Sequence, residues 1–193
     1  MADSRRTKLL YLDGQQIPRH VFPAEDVRLD LLAADAITRH DGLIEIDFAT
    51  PDEWLEEDEE LVGHARDPFK RIDARRTSRH IRVSIGDEVV AETRRGVALF
   101  ETGLPTRWYI PRDDVSAELT WNDGHRTTCA YKGHATHWDV GGESAVAWSY
   151  ELPLNDAMPV RSMIAFYNER ADIEIDGDRE ERPQTQWSPP PVS

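Results

Sequence analysis

The sequence predicts a mainly β protein made of two related units. Three observations carry that expectation: an alternating hairpin signal, a train of short apolar runs, and an internal repeat. In the hairpin, His80-Ile81-Arg82-Val83-Ser84-Ile85 alternates, Gly86-Asp87 offers a two-residue turn, and Val89-Val90-Ala91 returns. Apolar runs then follow at residues 97–100, 107–110, 127–131, 145–150, 163–167 and 173–175, with Gly, Pro or Asp between them. Many short strands at such spacing point to an all-β barrel or sandwich-like domain.

The repeat sets the domain division. LLYLDGQQIPRHVFPAEDV (residues 9–27) lies without gaps on VALFETGLPTRWYIPRDDV (residues 97–115), with Arg19/Arg107, Pro23/Pro111, Asp26/Asp114 and Val27/Val115 identical. Upstream, ADSRR (2–6) lies on AETRR (91–95) after a one-residue shift. The expected units are a degenerate first copy over 1–76, a complete second copy over 77–183, and a Pro-rich tail over 184–193. The second copy has a hairpin before its matching block and the first has none. The first is therefore expected to lack an edge strand, leaving a sheet edge for the acidic helix, the second unit or a partner chain, such as a second copy of this one, to cover.

One segment reads as a short acidic helix. Between residues 45 and 60 there are nine carboxylates and no Lys or Arg. Thr50-Pro51-Asp52-Glu53 has capping-box spacing, with Pro at the first helical position. Trp54, Leu55, Leu61 and Val62 fall on one helical stripe, which predicts a helix over 51–61 with its acids on the solvated face. A patch for cations or a basic partner is the alternative use of those acids.

Composition excludes several classes. The chain has 193 residues and a mass of 22.1 kDa, enough for one large domain or a domain plus a fragment. Its net charge of −14 argues against a nucleic-acid partner, which needs a basic surface. One cysteine rules out an internal disulfide and a four-thiolate zinc site, and no metal or cofactor is expected. No apolar run reaches membrane length and MADSRRTKLL has no signal-peptide core, so a soluble, cytoplasmic protein without a membrane partner is expected.

RVSIGDEVVAETRRGVALFETGLPTRWYIPRDDV, RTTCAYKGHATHWDV, AVAWSYELPL and MIAFYNERADIEIDG together resemble the bacterial domain of unknown function 427, over about residues 77–183. The specific part is Thr127-Thr128-Cys129-Ala130-Tyr131-Lys132-Gly133, where the commoner family form has Pro-Trp in place of Ala130-Tyr131. Some members carry two copies in tandem, and the first copy here has no counterpart of this block. The resemblance implies a tent-like β fold similar in topology to methionine sulfoxide reductase B and the cereblon ligand domain. Many proteins of that topology hold zinc through paired Cys-x-x-Cys motifs, which this chain does not have. The family has also been labelled a nucleotidyltransferase. That chemistry needs metal-binding carboxylates approached by Gly-Ser, and the only suggestive pair, in Glu45-Ile46-Asp47, has no Gly-Ser before it.

The residues that could carry chemistry lie in the second unit. Cys129 and Lys132 are close enough in sequence for an ammonium to activate a thiol. On a straight strand, three residues apart, they would point to opposite faces unless the chain bends at Gly133. The other reading is a small core cysteine and a lysine paired with a carboxylate. Arg107 and Tyr109 alternate onto one strand face, with Trp108 and Ile110 on the other. Lys132, Arg107, Tyr109 and Tyr131 are expected to line one anion-accepting pocket, with Glu101 as acid or base, and Trp148 and Tyr150 share a face beside it. His134 and His137, with His125 or Asp139, make only a poor metal set, because strand spacing separates them. The function expected is a small-molecule, anionic-ligand pocket in the second unit, with Cys129, Lys132 and Glu101 as its reactive groups. The rivals are a thiol-dependent enzyme using Cys129 and a non-catalytic interaction module.

Overall fold

The computed structural model describes residues 8–10 and 19–190, and the chain divides into two compact units, 1–69 and 70–193. The ADSRR segment, residues 11–18 of the first repeat block, and the last three residues of the tail lie outside the described residues. Among the described residues no helix is long and apolar enough to cross a membrane.

The first unit contains strands β1 (Lys8–Leu10), β2 (Arg19–Pro23), β3 (Ile37–His40) and β4 (Leu43–Ile46), in the antiparallel order β1-β2-β4-β3. Its core is Phe22, Ile44 and Ile46, with Ile37, Leu29, Leu32 and Trp54 packed against them. The expected acidic helix is not there. Residues 51–61 instead form a miniature ladder of β5 (Leu55–Glu56) and β6 (Glu59–Glu60), turning at Glu57, which has a positive φ of 54°. A helix here would stack Glu53 on Glu57 and Glu56 on Glu60, like charges at i,i+4 with no basic partner. In the ladder Glu56 stands opposite Glu59, and the acids are exposed to solvent. Trp54 still turns inward: its indole N–H donates to the Phe48 carbonyl at 2.8 Å, and its ring stacks on Phe48 and on Phe22.

The second unit starts with β7 (Ile72–Arg76), which the sequence reading assigned to the first. It belongs here because all five of its residues pair with β10 (Val97–Glu101). The predicted hairpin forms from β8 (Ile81–Ile85) and β9 (Glu88–Thr93), turning at Gly86 with φ +59°. The remaining strands are β11 (Arg107–Ile110), β12 (Thr120–Cys129), β13 (Gly133–Val140), β14 (Glu143–Ser149), β15 (Ile164–Phe166), β16 (Asp172–Ile175) and β17 (Asp178–Arg179). A seven-stranded sheet runs β12-β13-β14-β15-β11-β10-β7, and a four-stranded sheet runs β17-β16-β8-β9. The larger core joins their inner faces through Ile81, Val83, Trp108, Ile110, Ile164, Phe166 and Ile173. The other face of the large sheet carries Val97, Leu99, Tyr109, Trp148 and Ala165, and is covered by Ala157 and Val160 of the 3-10 segment Asn155–Val160.

Strands β10-β11-β15-β14 of the second unit stand in the same order as β1-β2-β4-β3 of the first. Both β2 and β11 run through a proline (Pro23, Pro111) with nearly the same φ and ψ into a three-residue 3-10 turn, and leave it through Val27 or Val115. Phe22 pairs with Ile44 as Ile110 does with Ile164, and Ile37 pairs with Ile46 as Ala147 does with Phe166. The β1–β2 ladder is one residue out of step with β10–β11, since Leu9 faces His20 while Val97 faces Tyr109.

Replacing Trp54 with Ala should lower the unfolding free energy of the first unit by about 2–4 kcal/mol, below the upper end for a fully buried Trp because this ring is only half-buried. Chemical denaturation of the full chain followed by circular dichroism measures it, and an unchanged midpoint would refute the packing role.

Candidate functional site

The family-specific block is a tight hairpin turn with its tip inside the protein. Cys129 ends β12 opposite Gly133, the first residue of β13. The Lys132 amide donates to the Cys129 carbonyl at 3.2 Å, and the Lys132 carbonyl accepts from the Leu154 amide at 3.1 Å. Gly133 has φ +96°, and a Cβ there would meet the Leu152 carbonyl oxygen at 3.3 Å, so both backbone and space call for glycine. The tip residues Ala130, Tyr131 and Lys132 are all buried. The chain thus bends at this block, and Cys129 and Lys132 belong to one turn.

Lys132 is 7% exposed, and its ammonium donates to Glu101 Oε2 at 2.5 Å. Lys70 approaches the other oxygen, Oε1, at 3.4 Å, with its ammonium 5.7 Å from the centre of the Tyr131 ring. Two of the three lysines in the chain therefore meet on one carboxylate. Cys129 is a free, half-buried thiol at the end of the same turn.

Arg107 is held elsewhere on that sheet face. Its guanidinium makes a two-pronged bond to Glu169, Nη1 to Oε2 at 2.7 Å and Nη2 to Oε1 at 2.8 Å, and Nη1 also reaches Asn168 at 3.3 Å. Trp148, Tyr167 and Trp187 surround it, with ring centres 5.4–5.8 Å from the guanidinium carbon. Thr185 donates to Glu169 at 2.6 Å. The Pro-rich tail is anchored by Thr185 and Trp187, because a buried guanidinium needs its counter-charge and surrounding walls. Burial alone would raise the Glu169 carboxyl, but the bonds from Arg107 and Thr185 outweigh it and hold it below its usual value.

Tyr109 lies on the same face, fully buried, and accepts a hydrogen bond from the Trp148 indole at 3.1 Å. Burial pushes its hydroxyl pKa well up, and burial beside Tyr109 does the same to Tyr150. The strand alternation read from sequence holds for Arg107, Tyr109, Trp148 and Tyr150. Arg107 and Lys132, expected to line one pocket, are each held by a different carboxylate, Glu169 and Glu101. Sequence reasoning missed Lys70, Glu169, Thr185 and Trp187. Lysine scarcity was a usable signal for Lys70. Glu169 pairs across 62 positions and carries no local mark.

The histidines separate as strand spacing dictates. His134 is exposed beside Thr128, while His137 is buried with Nε2 2.8 Å from Thr127 Oγ1 and Nδ1 without a hydrogen-bond partner. His125 meets the His137 ring edge-to-face at 4.3 Å. No group of three His, Cys, Asp or Glu able to hold a metal occurs among the described residues.

These features define a class: an antiparallel β domain that buries a lysine-tipped turn against a carboxylate on its own sheet. Residues 73–177, a little over half of the chain, match the family described as "Domain of unknown function (DUF427)", and the chain belongs to that family. No curated protein matches it.

Two outcomes follow from this geometry. Glu169→Ala should cost about 3–5 kcal/mol in a denaturant titration, since it strands a buried guanidinium; a loss under 1 kcal/mol would show that Arg107 finds solvent instead. The second concerns pH. Burial, followed by the nearby His125, lowers the His137 pKa from 6.5 to about 4. The unfolded chain then binds the extra proton, so this contribution is complete above pH 6.5 and is lost as pH falls toward 4, by roughly 3 kcal/mol. His137→Gln should flatten that stretch of a stability-against-pH curve, and an equally steep curve in the variant would exclude His137 as its source.

Proposed function

We propose that the second unit binds a small anionic molecule at the Lys132 turn. The observation that carries this reading is the charge count: Lys70 and Lys132 share Glu101, which leaves one ammonium uncompensated. Lys70 keeps 29% of its side chain exposed, so the surplus charge is reachable, and the buried Tyr131 ring forms a wall beneath it. A carboxylate or phosphate arriving there would meet two ammonium groups in a poorly solvated setting, where charge-assisted bonds are strong. Arg107 then acts as a packed structural cation. Tyr109, Trp148 and Tyr150 stiffen the sheet face behind the site.

A second reading uses the same turn. Cys129 closes it, and a bound electrophile held by Lys132 would be presented to that thiol; in this version the site turns its ligand over.

The matched strand orders and proline-led turns support a further part of the proposal, that the two units are tandem copies. The first copy would then have lost the β12–β13 hairpin and with it the lysine turn. Its β3 edge would correspond to the edge of β14 that carries β13, and a second copy of this chain would add there.

Thermal unfolding with inorganic phosphate, acetate and citrate tests the binding site. At least one anion should raise the melting temperature of the natural chain by several degrees at millimolar concentration. Lys132→Met should abolish the rise and Lys70→Met should reduce it. An equal rise in Lys132→Met, or none in the natural chain, would sink the proposal.

A further inference from the structure

A groove of about 360 Å³ opens on the opposite face of the β12–β13 hairpin, lined by Arg112, Trp121, Arg126, Thr136, Trp138 and Glu151. An irregularity in β12 builds it. Asn122 faces His137 and Arg126 faces Thr136, so residues 123–125 loop out of the ladder. Trp121 therefore stands opposite Trp138 and Arg126 opposite Thr136, all four on one face.

One wall is fixed. The Trp138 indole donates to Ser149 Oγ at 2.9 Å, and Ser149 donates to Glu151 Oε1 at 2.7 Å. Arg112 donates to the same oxygen at 2.8 Å and lies 4.6 Å from the Trp138 ring centre, while Ser162 donates to Oε2 at 2.7 Å. Both Glu151 oxygens thus accept bonds from the protein's own groups, although the side chain is 42% exposed. The other wall is open. Trp121 is 56% exposed, and the exposed Arg126 lies over its ring at 5.8 Å with no ion-pair partner among the described residues.

We infer that this groove binds a ring-bearing oxyanion: a flat ring lies on Trp121, and its phosphate or carboxylate is held by Arg126 and the unbonded N–H groups of Arg112. The charge decides the class. Two guanidinium groups against one carboxylate leave a net positive groove on a chain of net charge −14. A cationic ligand would be repelled, despite the two tryptophans that would otherwise suit one. A neutral ring would cover Arg126 without pairing it, which costs desolvation for no return. An oxyanion pairs with the planar fork and a ring replaces water on the indole, so both exposed groups are used at once. The volume lies at the small end of ligand sites, room for one or two fused rings and the charged group. This site is independent of the Lys132 turn, because Thr136 and Trp138 point away from the face that carries Ala135 and His137.

Isothermal titration calorimetry on the full chain tests it with six probes. Adenosine 5′-monophosphate and 4-hydroxybenzoate are the two ring-bearing oxyanions; adenosine and inorganic phosphate are the halves of the first, phenol and acetate those of the second. One of the first two should bind at least tenfold tighter than either half, and which one does so distinguishes a phosphate ligand from a carboxylate. Arg126→Met and Trp121→Leu should each weaken that binding tenfold or more, and both alter exposed side chains that the fold does not need. Lys132→Met should leave it unchanged, which separates this site from the turn. The inference fails if a half binds as tightly as the whole, if neither ring-bearing oxyanion binds at millimolar concentration, or if Arg126→Met and Trp121→Leu bind like the natural chain.

Discussion

An ammonium group buried at the tip of a β-turn costs several kcal/mol unless an anion meets it there. The second unit is arranged around that constraint. Lys132 can turn inward only because Glu101 ends β10 on the facing side of the sheet. The turn can close only because Gly133 takes a positive φ under the Leu152 carbonyl. Once the tip is inside, Ala130 and Tyr131 fill space next to the sheet and the long β12–β13 hairpin has a fixed root. A hairpin anchored at its turn leaves its far part free to carry exposed groups, and Trp121 and Arg126 lie there.

A second buried cation repeats the solution on the same face. Arg107 receives Glu169 as Lys132 receives Glu101, and the Tyr109–Trp148 hydrogen bond lies on the face between them. The two pairs differ in kind. Arg107 is matched by a planar, two-pronged bond and enclosed by three aromatic rings, which uses the guanidinium completely. Lys132 shares its partner with Lys70, so that pair is not saturated. One pair fastens the tail to the sheet, and the other leaves charge to spare.

Much of this was legible because it depends on local periodicity. Arg107 and Tyr109 alternate with Trp108 and Ile110 in the sequence and in the sheet, and the Gly86-Asp87 turn is where its residue types require it. The acidic segment misled, because capping signals and a helical stripe say nothing of repulsion between neighbouring carboxylates. Strand β13 is missing from the apolar runs of the sequence and showed only in the spacing of His134 and His137, since its histidines, threonine and aspartate hide a period of two that only the neighbouring strands make useful. The polar pairings were half legible. Glu101 was the carboxylate expected beside Lys132, whereas Glu169 lies 62 positions from Arg107 and any of the chain's many acids would have matched as well on paper.

The scarcity of lysine gives the molecule an unusual chemical signature. Amine-directed labels find only Lys8, Lys70 and Lys132 along the chain, besides its terminal amine. Lys132 is shielded and Lys70 leans on the same carboxylate. Acylation of the native protein at these two positions therefore reads out the state of the turn directly. The reactivity of Lys70 reports whether Glu101 still holds it, and labelling of Lys132 requires the hairpin root to open. A reagent that is blunt on most proteins becomes, on this one, a local probe of a single carboxylate.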